Sequence, residues 1–281
     1  MVPALPPLIS SLLLADQLRA GGPSAPAVVH VVTTMAGSDP HAAYLDRRLP
    51  SARFTSLDDD LADPPAPVIG RHPLPSAAAF AAVLGRLGIT PETTVVAYDD
   101  NNGPFAARLV WMLRITGQPA ALLDGGLDAW SSPFESGPVE PYEPVFDRPA
   151  VPWPVEAIAN ADDVAAHIKY GGVVIDSRDS QRYAGNVEPV DAVAGHIPGA
   201  LNMPFTDNLA DGQWLSAPQL AERFAHLDRD PQAIVYCGSG VTACHNALAI
   251  ESAGLPLPRV FVGSWSGWSS DRRRPVASDA R

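Results

Sequence analysis

Cys237 stands in the run Ala-Ile-Val-Tyr-Cys-Gly-Ser-Gly-Val-Thr-Ala-Cys, residues 233–244, and its surroundings are those of a nucleophile. The apolar residues Ala233 to Tyr236 predict a short buried strand. A helix is expected over Val241–Ala253. A thiol at the carboxyl end of a strand faces the crevice where open α/β sheets place their ligands. Gly238 and Gly240 let successive backbone N–H groups curl inward, and the helix that follows adds its positive N-terminal end. The N–H groups of Gly238, Ser239, Gly240, Val241 and Thr242 are thus expected to cradle an anionic sulfur, favouring thiolate over thiol. A buried cysteine that only packs is common. Two glycines directly after a strand would weaken an element with no other task, which favours catalysis.

Three other cysteine chemistries fit less well. A cysteine phosphatase needs an arginine after five intervening residues to grip phosphoryl oxygens, and that position is Ala243. A thioredoxin-type dithiol needs Cys-x-x-Cys, but Cys244 lies seven residues on. A structural zinc site takes about four ligands. The chain has two cysteines, with only His245 beside them.

The loop resembles that of the rhodanese-type sulfurtransferases, and Cys237-Gly238-Ser239-Gly240-Val241-Thr242 is similar to the loop of their 3-mercaptopyruvate branch. Further segments follow the family order: Asp176-Ser177-Arg178 with Arg182-Tyr183, then Gly195-His196-Ile197-Pro198-Gly199-Ala200, then Gly263-Ser264-Trp265 with Trp268. The resemblance implies a Cys237 persulfide, loaded from 3-mercaptopyruvate or thiosulfate and discharged to a thiol, cyanide or a thioredoxin-like protein. It implies no metal and no organic cofactor. Arg182 matches the family's substrate-binding arginine by its spacing, and an arginine can bind a carboxylate bidentately. Arg178 is expected to be structural, as is His196. Cys244 is expected to be a small buried residue, with a resolving thiol as the alternative.

The chain departs from the family at several places. Residues 183–195 hold no second arginine, and Arg48 stands where many members have a histidine in the first half. Ser239 is retained, but its histidine partner is expected to be missing. Uncharged Gly238 and Ser239 offer no cation to thiosulfate, so 3-mercaptopyruvate is the expected donor, bound weakly. These losses also keep open an alternative: a non-enzymatic persulfide carrier or partner-binding module.

The elements that position this loop occur twice. Residues 95–132 resemble residues 233–270 at a constant offset of 138. Asp99 falls opposite Cys237, Tyr98 opposite Tyr236, Gly125 opposite Gly263 and Trp130 opposite Trp268. Such a repeat predicts a duplicated α/β domain, each copy a mainly parallel sheet flanked by helices on both faces. A carboxylate carries no transferable sulfur, so residues 1–135 are expected to form an inactive rhodanese-like domain and residues 155–281 the catalytic one. Seven prolines between Pro133 and Pro154 mark residues 136–154 as an extended linker. The proline-rich stretch Asp63–Pro75 is expected to be a long loop within the first half.

The 281 residues suffice for two domains of ordinary size. A formal charge of -12 argues against nucleic acid, which is bound through clustered Lys and Arg. No apolar stretch reaches bilayer length. The Leu8–Ala15 run lacks a basic start, so it is expected to be a helix continuing through Leu18, not a secretory signal. A cytoplasmic protein without membrane partners is the expectation.

Overall fold

β-branched and apolar runs of two to six residues alternate with amphipathic stretches along the chain, and ten such runs become the strands of two parallel sheets. The computed structural model describes residues 5–22, 24–34, 39–139 and 147–279. Part of the expected linker, residues 140–146, lies outside the described residues. The chain divides into two compact units: Met1–Asp63 with Pro75–Trp153, and Pro64–Leu74 with Pro154–Arg281. Pro64–Leu74 is therefore out of chain order. The stretch read as a loop of the first half packs into the second unit.

The first unit contains strands β1 (Leu8–Ile9), β2 (Ala27–Val32), β3 (Arg53–Ser56), β4 (Val95–Tyr98) and β5 (Ala120–Leu123), in the order β1-β5-β4-β2-β3. All four pairings are parallel. Its helices are α1 (Ser11–Ala20), α2 (Pro40–Asp46), α3 (Leu57–Asp60), α4 (Ala77–Arg86) and α5 (Pro104–Ile115). The expected helix over Leu8–Ala15 is corrected here. Leu8–Ile9 pairs with β5, and Ser10 then caps α1 by accepting the Leu13 N–H.

The second unit repeats the plan. Strands β6 (Ile158–Ala159), β7 (Val174–Asp176), β8 (Leu201–Asn202), β11 (Ile234–Tyr236) and β12 (Arg259–Phe261) run parallel in the order β6-β12-β11-β7-β8. A small hairpin, β9 (Leu209–Ala210) and β10 (Gln213–Trp214), is additional. Its helices are α6 (Ala161–Lys169), α7 (Ser180–Ala184), α8 (Ala217–Arg223), α9 (Thr242–Ser252) and α10 (Ser264–Ser270). The duplicated side chains repeat their bonds. Tyr98 Oη accepts the Leu49 N–H in one unit, and Tyr236 Oη accepts the Ile197 N–H in the other. Both phenols are fully buried, and burial pushes each above its ordinary value. Among the described residues, no helix is long and apolar enough to cross a membrane.

Candidate active site

β11 is the middle strand of its sheet, and Cys237 follows it directly. Its backbone is fixed from α10: the Cys237 N–H donates to Ser264 Oγ at 3.1 Å, and the Cys237 carbonyl accepts the Trp265 N–H at 2.9 Å. The thiol is 2% exposed. The Gly240 N–H points at its sulfur across 3.1 Å, and Ser264 Oγ lies 3.9 Å away. Gly240 has φ +80°, and a Cβ there would stand 2.5 Å from the Val262 carbonyl oxygen, so the loop closes only with glycine. Residues 237–241 are buried and Thr242, at the start of α9, is half-buried. Of the five amides expected around the sulfur, that of Gly240 makes a hydrogen bond to it, and α9 begins five residues after Cys237.

Cys244 is fully buried, and its Sγ donates to the Gly240 carbonyl at 3.3 Å, which ties the loop to α9. His196 is structural in its contacts: its ring stacks on Tyr183 at 3.8 Å, and its Nδ1 lies 2.8 Å from the Tyr183 carbonyl.

Arg182 lies on α7, whose N-terminus is capped by the Asp179 carboxylate. It belongs to a chain of alternating charge. Asp176 holds Arg178 at 2.6 Å, and Arg178 also reaches Glu188 at 3.3 Å. Glu188 binds Arg182 at 2.7 Å, Arg182 reaches Asp191 at 3.4 Å, and Asp191 binds Arg71. Arg178, expected to be structural, is 3% exposed and packs over Trp265. Burial disfavours its charge, but the Asp176 carboxylate outweighs that and holds it protonated above the ordinary arginine range. Burial would likewise raise the Glu188 carboxyl. Arg182 and the N–H groups of Asp191 and Val190 overcome it and hold Glu188 below its ordinary value.

Two residues beside the loop escaped the sequence reading. The histidine partner of Ser239, expected to be missing, is His72, whose Nδ1 lies 2.9 Å from Ser239 Oγ. Arg71 is the second, and it supplies a cation beside Gly238 where none was expected. Both belong to Pro64–Leu74, which is bound to α10: the Val68 N–H donates to Ser270 Oγ at 2.9 Å and the Arg71 N–H to Ser266 Oγ at 3.1 Å. Gly70 makes this approach possible, since its φ is +113° and a Cβ would meet the Gly263 carbonyl oxygen at 2.7 Å. The available signal was Gly70-Arg71-His72-Pro73: two chemistry-bearing side chains inside a loop, where function concentrates. Arg48, at the position where many members have a histidine, is buried in the first unit and donates to the Gly137 carbonyl at 2.9 Å.

Residues 160–271 match the model of the rhodanese-like domain. The chain is 41% identical over 283 residues to a probable 3-mercaptopyruvate sulfurtransferase of Pseudomonas aeruginosa, covering 96% of this chain and 99% of that one. It is 40% identical over 277 residues to a putative thiosulfate sulfurtransferase of Mycobacterium tuberculosis, covering 96% of each. The crystal structure of SseA from Escherichia coli, a 3-mercaptopyruvate sulfotransferase, is similar with a TM-score of 0.78 at 28% identity, over 93% of this chain and 99% of that one. With a cysteine loop of this geometry on a duplicated parallel α/β fold, and with such relatives along nearly its whole length, the chain belongs to the rhodanese-type sulfurtransferases.

Proposed function

We propose that the protein takes sulfur preferentially from 3-mercaptopyruvate, carries it on Cys237 as a persulfide and passes it to a thiophilic acceptor. The Cys237 thiolate attacks the donor sulfur, the S–S bond forms and the sulfur–carbon bond breaks. The electron pair of that bond leaves with the three-carbon fragment as an enolate. The donor's thiol proton, moved by the Ser239 hydroxyl and the His72 imidazole beside it, converts the enolate to pyruvate. The outer sulfur remains as a persulfide anion under the N–H groups of residues 238–242. A thiolate or cyanide then attacks that sulfur and restores Cys237. In cells the acceptor is a small thiol or a thioredoxin-like protein.

The observation that carries this reading is the placement of guanidinium groups over Gly238, one residue from the nucleophile. Arg182 offers the planar fork that suits a carboxylate, and 3-mercaptopyruvate presents one. The carrier alternative drew its support from a missing histidine and a missing arginine; His72 and Arg71 occupy those roles geometrically, which favours turnover. The test compares kcat/KM for 3-mercaptopyruvate and thiosulfate with cyanide as acceptor. A higher value for 3-mercaptopyruvate is expected; a higher value for thiosulfate overturns the donor assignment, and one loading event followed by a stall overturns turnover itself.

A further inference from the structure

Arg71 and Arg182 come from segments more than a hundred residues apart and converge on one spot. A methyl group at Gly238 would lie 2.9 Å from Arg71 Nη2 and 3.4 Å from Arg182 Nη1. Both guanidinium groups also bind the same carboxylate, Asp191, one oxygen each: Arg71 pairs with Oδ1 and Arg182 reaches Oδ2. The Asp191 side chain is 9% exposed, against 29% for Arg71 and 18% for Arg182. The two cations therefore reach solvent while the anion between them lies deeper. Nothing comparable holds at Arg178, which is 1% exposed in its side chain and bound by Asp176, Glu188 and the Gly195 carbonyl.

We infer that Arg71 is the second cation of the donor-carboxylate site, paired with Arg182, and that Asp191 occupies both guanidinium groups until the substrate carboxylate competes for them. The inference rests on the proposed 3-mercaptopyruvate reading. It replaces the arginine absent from residues 183–195 with one from a distant loop, and it removes the premise for weak donor binding. A carboxylate shared by two arginines has the bidentate geometry that a keto-acid carboxylate would adopt, so Asp191 marks the ligand's place. Asp191 also sets affinity, because its charge opposes the entering anion. Gly238 belongs to the same device: its lack of a side chain leaves room for the two guanidinium groups beside the nucleophile.

The experiment measures KM and kcat for 3-mercaptopyruvate on the native chain, Arg71→Ala, Asp191→Asn and Gly238→Ala, with thermal melts to report folding. Removal of one charge-assisted pair predicts that Arg71→Ala raises KM about ten- to a hundredfold, with a much smaller change in kcat. Asp191→Asn is expected to lower KM severalfold. Gly238→Ala, which keeps both arginines but pushes them apart, is expected to raise it. Opposite signs for Arg71→Ala and Asp191→Asn separate substrate binding from a structural ion pair, because breaking a structural pair from either side shifts KM the same way. Equal signs, or an Arg71→Ala KM within twofold of native, overturn the inference. If Arg71→Ala fails to fold, Gly238→Ala and Asp191→Asn decide by the same criterion of opposite signs. Failure of the native chain to turn over 3-mercaptopyruvate overturns the donor reading instead.

Discussion

The two equivalent loop positions of the repeat hold different side chains, a thiol in one unit and a carboxyl group in the other. In the second unit the sulfur of Cys237 receives the Gly240 N–H. In the first unit Asp99 takes the place of Cys237, and its carboxylate accepts the N–H groups of Asn101 and Gly103 on one oxygen and of Phe105 and Ala106 on the other, all at 2.8–2.9 Å. Asp99 is fully buried; burial raises its carboxyl above the ordinary value while those four amides pull it back. The amides of the first loop are thus satisfied by the loop's own carboxylate. The comparison also locates strain. Asn102 and Gly240 are equivalent and share positive φ, at 64° and 80°. Gly126 and Ser264 are equivalent too, at 53° and 52°. The second unit places serine where the first keeps glycine, and the hydroxyl of that serine accepts the Cys237 N–H. Strain at a functional site is thereby tied to a specific hydrogen bond.

Substitutions at paired positions break or sharpen this contrast. Gly240→Ala should have the largest effect, because the Cβ meets the Val262 carbonyl in a backbone conformation that alanine resists. Loss of sulfur transfer by more than about a hundredfold is expected, with a stability cost of roughly 2–4 kcal/mol. Asn102→Ala, at the matching position, should cost only about 1–2 kcal/mol in a thermal or urea melt. Asp99→Ala comes next. It leaves four amides without their acceptor and should destabilise by about 3 kcal/mol or more, since each orphaned buried donor costs about 1–3 kcal/mol. Equal stability of Asp99→Ala and the native chain would show that the first cradle needs no anion.

Ser264→Gly sharpens the comparison by making the two units alike. Relief of positive φ and loss of the hydroxyl offset one another, so stability should change by less than about 1 kcal/mol. Transfer should nevertheless slow severalfold, because Cys237 loses the acceptor of its N–H. A smaller effect concerns pH. Glu188 is held below its ordinary value of 4.5, so its contribution to stability is present above that value and is lost as pH falls through the lower folded-state value. Glu188→Gln should flatten the acid limb of a melting-temperature profile taken between pH 3 and 7. An unchanged limb would remove Glu188 from the account.

How much of this was legible in the amino-acid sequence depends on distance along the chain. The Cys237 loop could be read because its strand, glycines and helix are contiguous, and the repeat could be read because Asp99 and Trp130 keep the register of Cys237 and Trp268. The Leu8–Ala15 run was misread because Ser10 divides it, and a two-residue strand has no period to detect. Arg71 and His72 were invisible for another reason. Their partners Asp191 and Ser239 lie 120 and 167 residues away, and only packing of Pro64–Leu74 against α10 brings them together. The hydroxyl of Ser264 belonged to a recognisable segment, but its bond to the Cys237 N–H depends on a left-handed backbone that no neighbouring residue announces.

The central claim is that Cys237 alone of the two equivalent positions carries sulfur. Intact-mass measurement after treatment with 3-mercaptopyruvate, before any acceptor is added, tests it directly. The native chain should gain the mass of one sulfur atom, and Cys237→Ser, in which Asp99 still fills the first loop, should gain none. A sulfur adduct on the variant would contradict the account by removing Cys237 from its role.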